Sequence, residues 1–245
     1  MALVATSRSA PRPKAIMALG DAAILVEFSD TLDFAINDLI QRLAHRLRAR
    51  QVAWIRDIVP ALASLAIHFD PDLVDALDAD PLVRALIESC LAEAASPTAG
   101  AGRTIEVPIC YDPSFALDLE DICERVHLAS EEVTALHAAS EFRVLMVGFA
   151  PGHPYLGGLD PRLAVPRRAT PRSRMPRGAV AIANAQCVVY PYEIPGGWSV
   201  IGRTPLRVFD AAREAPSLFA PADKVRFVPV DRAQYDAIAV REGTA

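Results

Sequence analysis

Between Phe142 and Asp210 the sequence reads FRVLMVGF (142–149), AVAIANAQCVVY (179–190), WSVIGRT (198–204) and LRVFD (206–210), with KVRFVPV (224–230) close behind. Each run is short, rich in β-branched or apolar residues, and bounded by proline or glycine, the pattern of strands cut by turns. Apolar strands expose unpaired backbone at any open edge, so the pattern predicts a closed or nearly closed β-barrel. Just upstream, Arg103–Tyr111 is strand-like, and two short helices are expected at Leu119–Val126 and Glu131–Ala139, the second capped by Ser130.

The first half has a different rhythm. AAILVEF (22–28) is an apolar run that ends at the Ser29-Asp30 turn and predicts a buried strand. Ile36, Leu39, Ile40, Leu43 and Leu47 recur on one helical face, with Asp33 placed to cap its start. Arg46, Arg48 and Arg50 suit the negative end of that helix dipole. VAWIRDIV (52–59) and LAIHF (65–69) are two further strands, and a helix over Leu82–Ala95 follows Pro81, whose missing N–H costs nothing in a first turn. SPTAGAG (96–102) is small and flexible, and serves as the linker. The expected fold is an α+β N-terminal domain over 19–95 followed by a mainly-β barrel domain over 103–245, with a disordered tail over 1–18.

Composition narrows the function classes. Of 245 residues, 52% are hydrophobic and 22% charged, which suits a globular chain. A net charge of −5 offers no electrostatic footprint for nucleic acid. Cys90, Cys110, Cys123 and Cys187 are scattered, with no CxxC pair, so neither a zinc site nor a disulfide framework is indicated. No stretch approaches the roughly 20 apolar residues of a membrane span, and prolines interrupt the N-terminal apolar runs. A soluble, cytoplasmic protein with reduced thiols and no membrane partner is expected.

Four features carry candidate chemistry. The loop from Gly148 to Gly158 (GFAPGHPYLGG) combines glycines, which allow close backbone approach, with stiffening prolines. It is either a rigid connection or a wall that presents backbone N–H groups to a carbonyl, with His153 able to exchange a proton near neutral pH. It matches no dinucleotide or phosphate-loop pattern. Second, Arg162, Arg167, Arg168, Arg172, Arg174 and Arg177 form a basic run whose prolines fix its shape. It is either a solvated loop or a seat for an anion. Third, Gly196-Gly197-Trp198 precedes Arg203. The tryptophan suits packing, and the arginine is either an ion-pair partner or a substrate clamp. Fourth, Gln186 and Tyr190 share one side of an extended strand and suit a small amide, while Cys187 faces away as a buried thiol. His45, His68, His127 and His137 suit packing or surface positions.

These same stretches resemble the family that joins allophanate hydrolase subunit 1, the B-type subunit of 5-oxoprolinase, and KipI. Its signature runs G-F-x-P-G-F-x-Y-L, then P-R-R…P-R, G-x-x-x-I-A, Q-x-x-x-Y-P and P-G-G-W-x-x-I-G-R-T-P. Gly148, Pro151, Gly152, Tyr155, Pro166, Arg167, Arg168, Gln186, Tyr190, Gly196, Gly197, Trp198, Gly202, Arg203 and Thr204 occupy matching positions. LGDAAILVEFSD (19–30) and VPALASLAIHFDP (59–71) extend the likeness to nearly the whole chain. Departures fall at His153, where phenylalanine is usual, at Cys187 for threonine and at Asn184 for glycine. The resemblance implies a KipI-type N-terminal domain, a cyclophilin-like barrel, and pairing with a larger carboxyltransferase-like subunit. With a third, A-type component, the assembly would open 5-oxoproline to glutamate at the expense of ATP, bound by the complex and not necessarily by this chain. Within such a site His153, Arg203 and Tyr190 are expected as catalytic residues, His153 from this chain's own loop and Arg203 and Tyr190 at matching family positions. Gly148, Gly152, Tyr155, Arg167, Arg168, Gln186 and Trp198 are then expected to bind a small amide or lactam, without a metal. The same family also implies an allophanate hydrolase component, or a non-catalytic inhibitor of a histidine kinase.

Overall fold

In the computed structural model, residues 12–93 and 102–244 are described, and the chain divides into two units between residues 100 and 101. Residues 1–11, residues 94–101, which include most of the linker expected at 96–102, and residue 245 lie outside the described residues.

The first unit runs β1 (Ala15–Ala18), β2 (Ala23–Glu27), α1 (Phe34–Ala49), β3 (Ile55–Pro60), β4 (Ser64–Phe69) and α2 (Ala76–Ala92). Its antiparallel sheet has the order β1-β2-β4-β3. Asp33 caps α1 by accepting from the N–H groups of Ala35 and Ile36. Leu39, Ile40, Leu43 and Leu47 then point into a core with Ile24, Val26, Leu65 and Ile67, each such burial contributing about 1.5–3 kcal/mol. Two expectations change here. The tail ends before residue 18, because Ala15–Ala18 pairs along β2 as an edge strand. Helix α2 starts six residues earlier than Leu82 and carries Pro81 inside it. Asp75 accepts from the N–H groups of Leu77 and Asp78, and this cap nucleates the turn ahead of the proline.

The second unit runs β5 (Thr104–Ile109), α3 (Leu119–Val126), α4 (Ser130–Ala139), β6 (Phe142–Val147), β7 (Pro154–Gly157), β8 (Arg172–Met175), β9 (Ala179–Ala183), β10 (Gln186–Val189), β11 (Ile194–Gly196), β12 (Ser199–Arg203), β13 (Lys224–Pro229) and α5 (Arg232–Glu242). Seven strands form one mixed sheet, β12-β9-β10-β7-β6-β13-β5, in which β13 and β5 are parallel. Its two ends meet: Cys110 and Arg203 exchange backbone N–H···O bonds of 2.9 and 3.0 Å. The sheet is therefore a nearly closed barrel, which consumes the edges the apolar strands would have exposed. Strands β8 and β11 pair separately.

The pleat sorts side chains onto two faces. Leu156, Val180, Ile182, Cys187, Val189 and Ile201 join the large core with Ile122 of α3 and Val133 of α4. The alternate residues Ala179, Ala181, Ala183, Val188 and Val200 pack on the other face with Tyr190, Trp198 and Met175 of β8. The run 206–210 contributes only an isolated bridge, Phe209 to Ser217, rather than a strand. Ser130 is the first residue of α4, not its cap; the Glu132 carboxylate instead accepts from the Ala129 N–H. Helix α5, capped by Asp231, was missing from the mainly-β expectation. No helix among the described residues is long and apolar enough to cross a membrane.

Candidate functional site

The β6–β7 turn is built to hold one histidine. Val147 pairs with Pro154, and the six residues between close through Gly148 N–H to His153 O and His153 N–H to Ala150 O, both 3.0 Å. Gly152 takes φ +76°, and a Cβ there would lie 2.6 Å from the Cβ of Phe209. Only glycine fits that turn. The backbone bonds occupy two of the loop amides and leave the N–H groups of Phe149, Ala150 and Gly152 with no partner among the described residues.

His153 is thereby turned onto the second face of the barrel. Its ring stacks on Tyr155 at 5.2 Å and 7°, touches Tyr190 at 5.0 Å, and is covered edge-on by Phe149 at 5.5 Å. Tyr155 in turn meets Trp198 at 6.0 Å. His153 is 2% exposed, and burial pushes its pKa down to about 4. At neutral pH the imidazole is therefore uncharged: it can accept a proton but is not a standing acid, which revises the expectation of exchange near pH 7. Its Nδ1 is buried without a hydrogen-bond partner. Burial also raises the Tyr190 phenol to about 12 and raises Tyr155, so both stay protonated.

Arg167 supplies the charge. Its guanidinium lies 5.4 Å from the centre of the Trp198 ring, and among the described residues no carboxylate pairs with it. A guanidinium over an indole, with no carboxylate partner among the described residues and beside a wall of aromatic rings, suits a small planar anion.

The other expected residues are placed elsewhere. Arg168 turns away to Asp118, and its Nε is buried without a partner. Arg203 lies five residues along β12 from Trp198, about 16 Å at strand rise. There it donates from Nε to the Arg177 carbonyl at 2.8 Å and lies over Phe115, so its guanidinium is engaged away from the Trp198 ring. Gln186 does share a face with Tyr190, but four residues of strand separate the two by about 13 Å, too far for one small amide. Its Nε2 is buried and unpartnered. Cys187 faces the large core, 3.6 Å from Nε2 of the fully buried His137, and burial raises its thiol.

Two residues of the site were not singled out from the sequence. Phe149 is 70% exposed and sits at φ +72°, an uncommon conformation for a bulky residue. Its only sequence signal is an aromatic residue inside a glycine-proline loop. Asp118 left the weaker trace of an acid just before a helix. A groove of about 790 Å³ on the same unit, with Tyr111, Cys123 and Leu128 in its wall, carries Glu120, Asp121, Glu124 and Glu131 and no cation, so it repels an anionic ligand.

A family model for the carboxyltransferase domain, subdomain C and D, matches residues 14–219. The chain is 35% identical over 225 residues to the B-type subunit of 5-oxoprolinase from Bacillus subtilis (strain 168), covering 89% of this chain and 94% of that protein. It is 38% identical over 212 residues to the B-type subunit of 5-oxoprolinase from Escherichia coli O157:H7, covering 86% and 94%. The crystal structure of TTHA0988 is similar with a TM-score of 0.74 at 33% identity, over 86% of this chain but 40% of that one.

Proposed function

The chain belongs to the carboxyltransferase domain, subdomain C and D, family, and from that premise we propose that it is the B-type subunit of an ATP-dependent 5-oxoprolinase complex. Its work is to seat a small carboxylate-bearing lactam for ring opening to the linear amino acid. The observation that carries this is the unpaired Arg167 guanidinium on Trp198, beside the His153–Tyr155–Tyr190 rings. A flat five-membered lactam stacks on such rings, and its carboxylate takes the arginine fork.

In this arrangement Arg167 binds the carboxylate, and the free amides of Phe149, Ala150 and Gly152 face the lactam carbonyl. Donors fixed where negative charge develops stabilise it without reorganising. Neutral His153 takes a proton from the water that attacks the carbonyl carbon and returns it to the ring nitrogen as the C–N bond breaks, and Phe149 keeps bulk water from that proton. The glycines here serve a strand-to-strand turn, with Gly152 packed on Phe209. They form no cradle at a helix start, so the residues present do not fit ATP, which falls to the other components. Those are a larger carboxyltransferase-like subunit and an A-type one. Support comes from the names of the B-type relatives and from the 40% share that this chain spans of a similar, longer one. We also take the barrel as cyclophilin-like, the two units as independent domains, and the location, in line with four free cysteines, as cytoplasmic.

The test is ATP-dependent conversion of 5-oxoproline to glutamate by the assembled complex. Activity should require this chain, and Arg167→Gln should raise KM about tenfold or more with a smaller change in kcat. A complete assembly without turnover rejects the proposal. Turnover of linear allophanate instead moves the activity to the allophanate hydrolase type, and a pull-down that recovers a kinase but never a larger subunit points to a regulatory protein.

A further inference from the structure

Asp118 is 2% exposed, yet it makes no side-chain cap on the helix it precedes. Its carboxylate is turned instead to four donors from distant chain. Arg172 grips it with both terminal nitrogens, at 2.6 Å to Oδ2 and 2.8 Å to Oδ1. Arg168 adds Nη1 to Oδ1, and the Val200 N–H donates to Oδ2 at 2.7 Å. The Asp118 N–H returns a bond to the Val200 carbonyl at 3.0 Å, and the Arg168 N–H donates to Gly197 O at 2.8 Å.

These contacts converge on one place. Arg168 and Arg172 anchor the proline-containing segment that follows directly on Arg167. Val200 and Gly197 flank Trp198 on the facing strand. The two partners of the 5.4 Å guanidinium–indole contact are thus tied to a single buried carboxylate, which itself touches neither of them. Burying that carboxylate is costly unless its geometry is well satisfied, and here two guanidiniums and an amide satisfy it.

We propose that Asp118 is a positioning residue: through Arg168, Arg172 and Val200 it fixes Arg167 over Trp198 and so sets affinity for the substrate carboxylate. This rests on the binding role of Arg167 given above. A carboxylate that only stapled the fold would change stability without moving the indole or dividing KM from kcat.

The experiment reads both. In a Trp54→Phe background Trp198 is the sole tryptophan, since the chain has two, and its emission and acrylamide quenching report the Arg167 contact. Asp118→Asn keeps size and an acceptor for Val200 N–H but removes the charge. Arg172→Lys keeps the charge and loses the fork, and it carries the test should Asp118→Asn fail to fold. Both should raise Trp198 quenching, and in the assembled complex raise the KM for 5-oxoproline about tenfold with kcat changed less than about threefold. Folded variants with unaltered quenching, or with kcat lost at unchanged KM, overturn the proposal. Absence of turnover in the wild-type complex instead removes the assigned function, and the fluorescence still decides the role of Asp118.

Discussion

At the scale of the residue, His153 shows how burial sets protonation. Its pKa of about 4 is that of a ring enclosed by Phe149, Tyr155 and Tyr190, with no charge to help it ionise. Phe149→Ala should open one wall to water and raise this pKa toward 6.5, which an NMR titration of the imidazole would register; an unmoved value would show that Phe149 is not the cover. The same shift carries a stability consequence. The folded pKa lies below the unfolded value of about 6.5, so the unfolded chain takes up the proton first. Stability is full above pH 6.5 and falls as pH drops toward 4. The fully buried His137, pushed down to about 3, extends the decline further. Each histidine accounts for on the order of a few kcal/mol at the low-pH end. His153→Phe should flatten the urea-measured pH dependence between 6.5 and 4, and an unchanged slope would assign the loss elsewhere.

At the scale of the element, caps and turns decide more than periodicity does. The apolar spacing marked the body of α2 but put its start at Pro81, because proline is usual in a first turn. Asp75 overrides that preference by satisfying two of the leading amides. Asp75→Ala should cost about 1 kcal/mol, read as a lower urea midpoint at unchanged slope, and a null result would mean that tertiary packing alone holds the start. The β9–β10 hairpin makes a related point. Asn184 at φ +52° turns the chain so that Val188 and Tyr190 return on the same face as Ala181 and Ala179. Those small side chains leave room for the aromatic rings above them. Helix α5 escaped the sequence because its apolar residues gather on no single face, with only Tyr235 and Ala239 buried.

At the scale of the whole molecule, each unit has its own core and the barrel closes by one strand contact. Gly202 sits at that closure, where a Cβ would lie 2.9 Å from the Cys110 carbonyl. Gly202→Val should therefore strain the seam and lower the melting temperature, while emission from Trp198, at the other end of β12, stays unchanged; a shift in emission would show that the seam and the aromatic cluster are coupled. The sequence by itself determined β2, β4, β5, β6, β9, β10, β12 and β13, the α3 helix, the turn at Gly152 and the residue types of the site, because each follows from short-range sterics and the two periods of side-chain direction. Only the tertiary structure decided which of those residues meet. Arg168 and Arg203 carry the same charge and the same family likeness as Arg167, yet one is spent on Asp118 and the other on the Arg177 carbonyl. The partners of Asp118 lie 50, 54 and 82 residues away, and no local pattern encodes neighbours at that range. They are set by how the sheet curls, and that depends on the packing of the whole barrel.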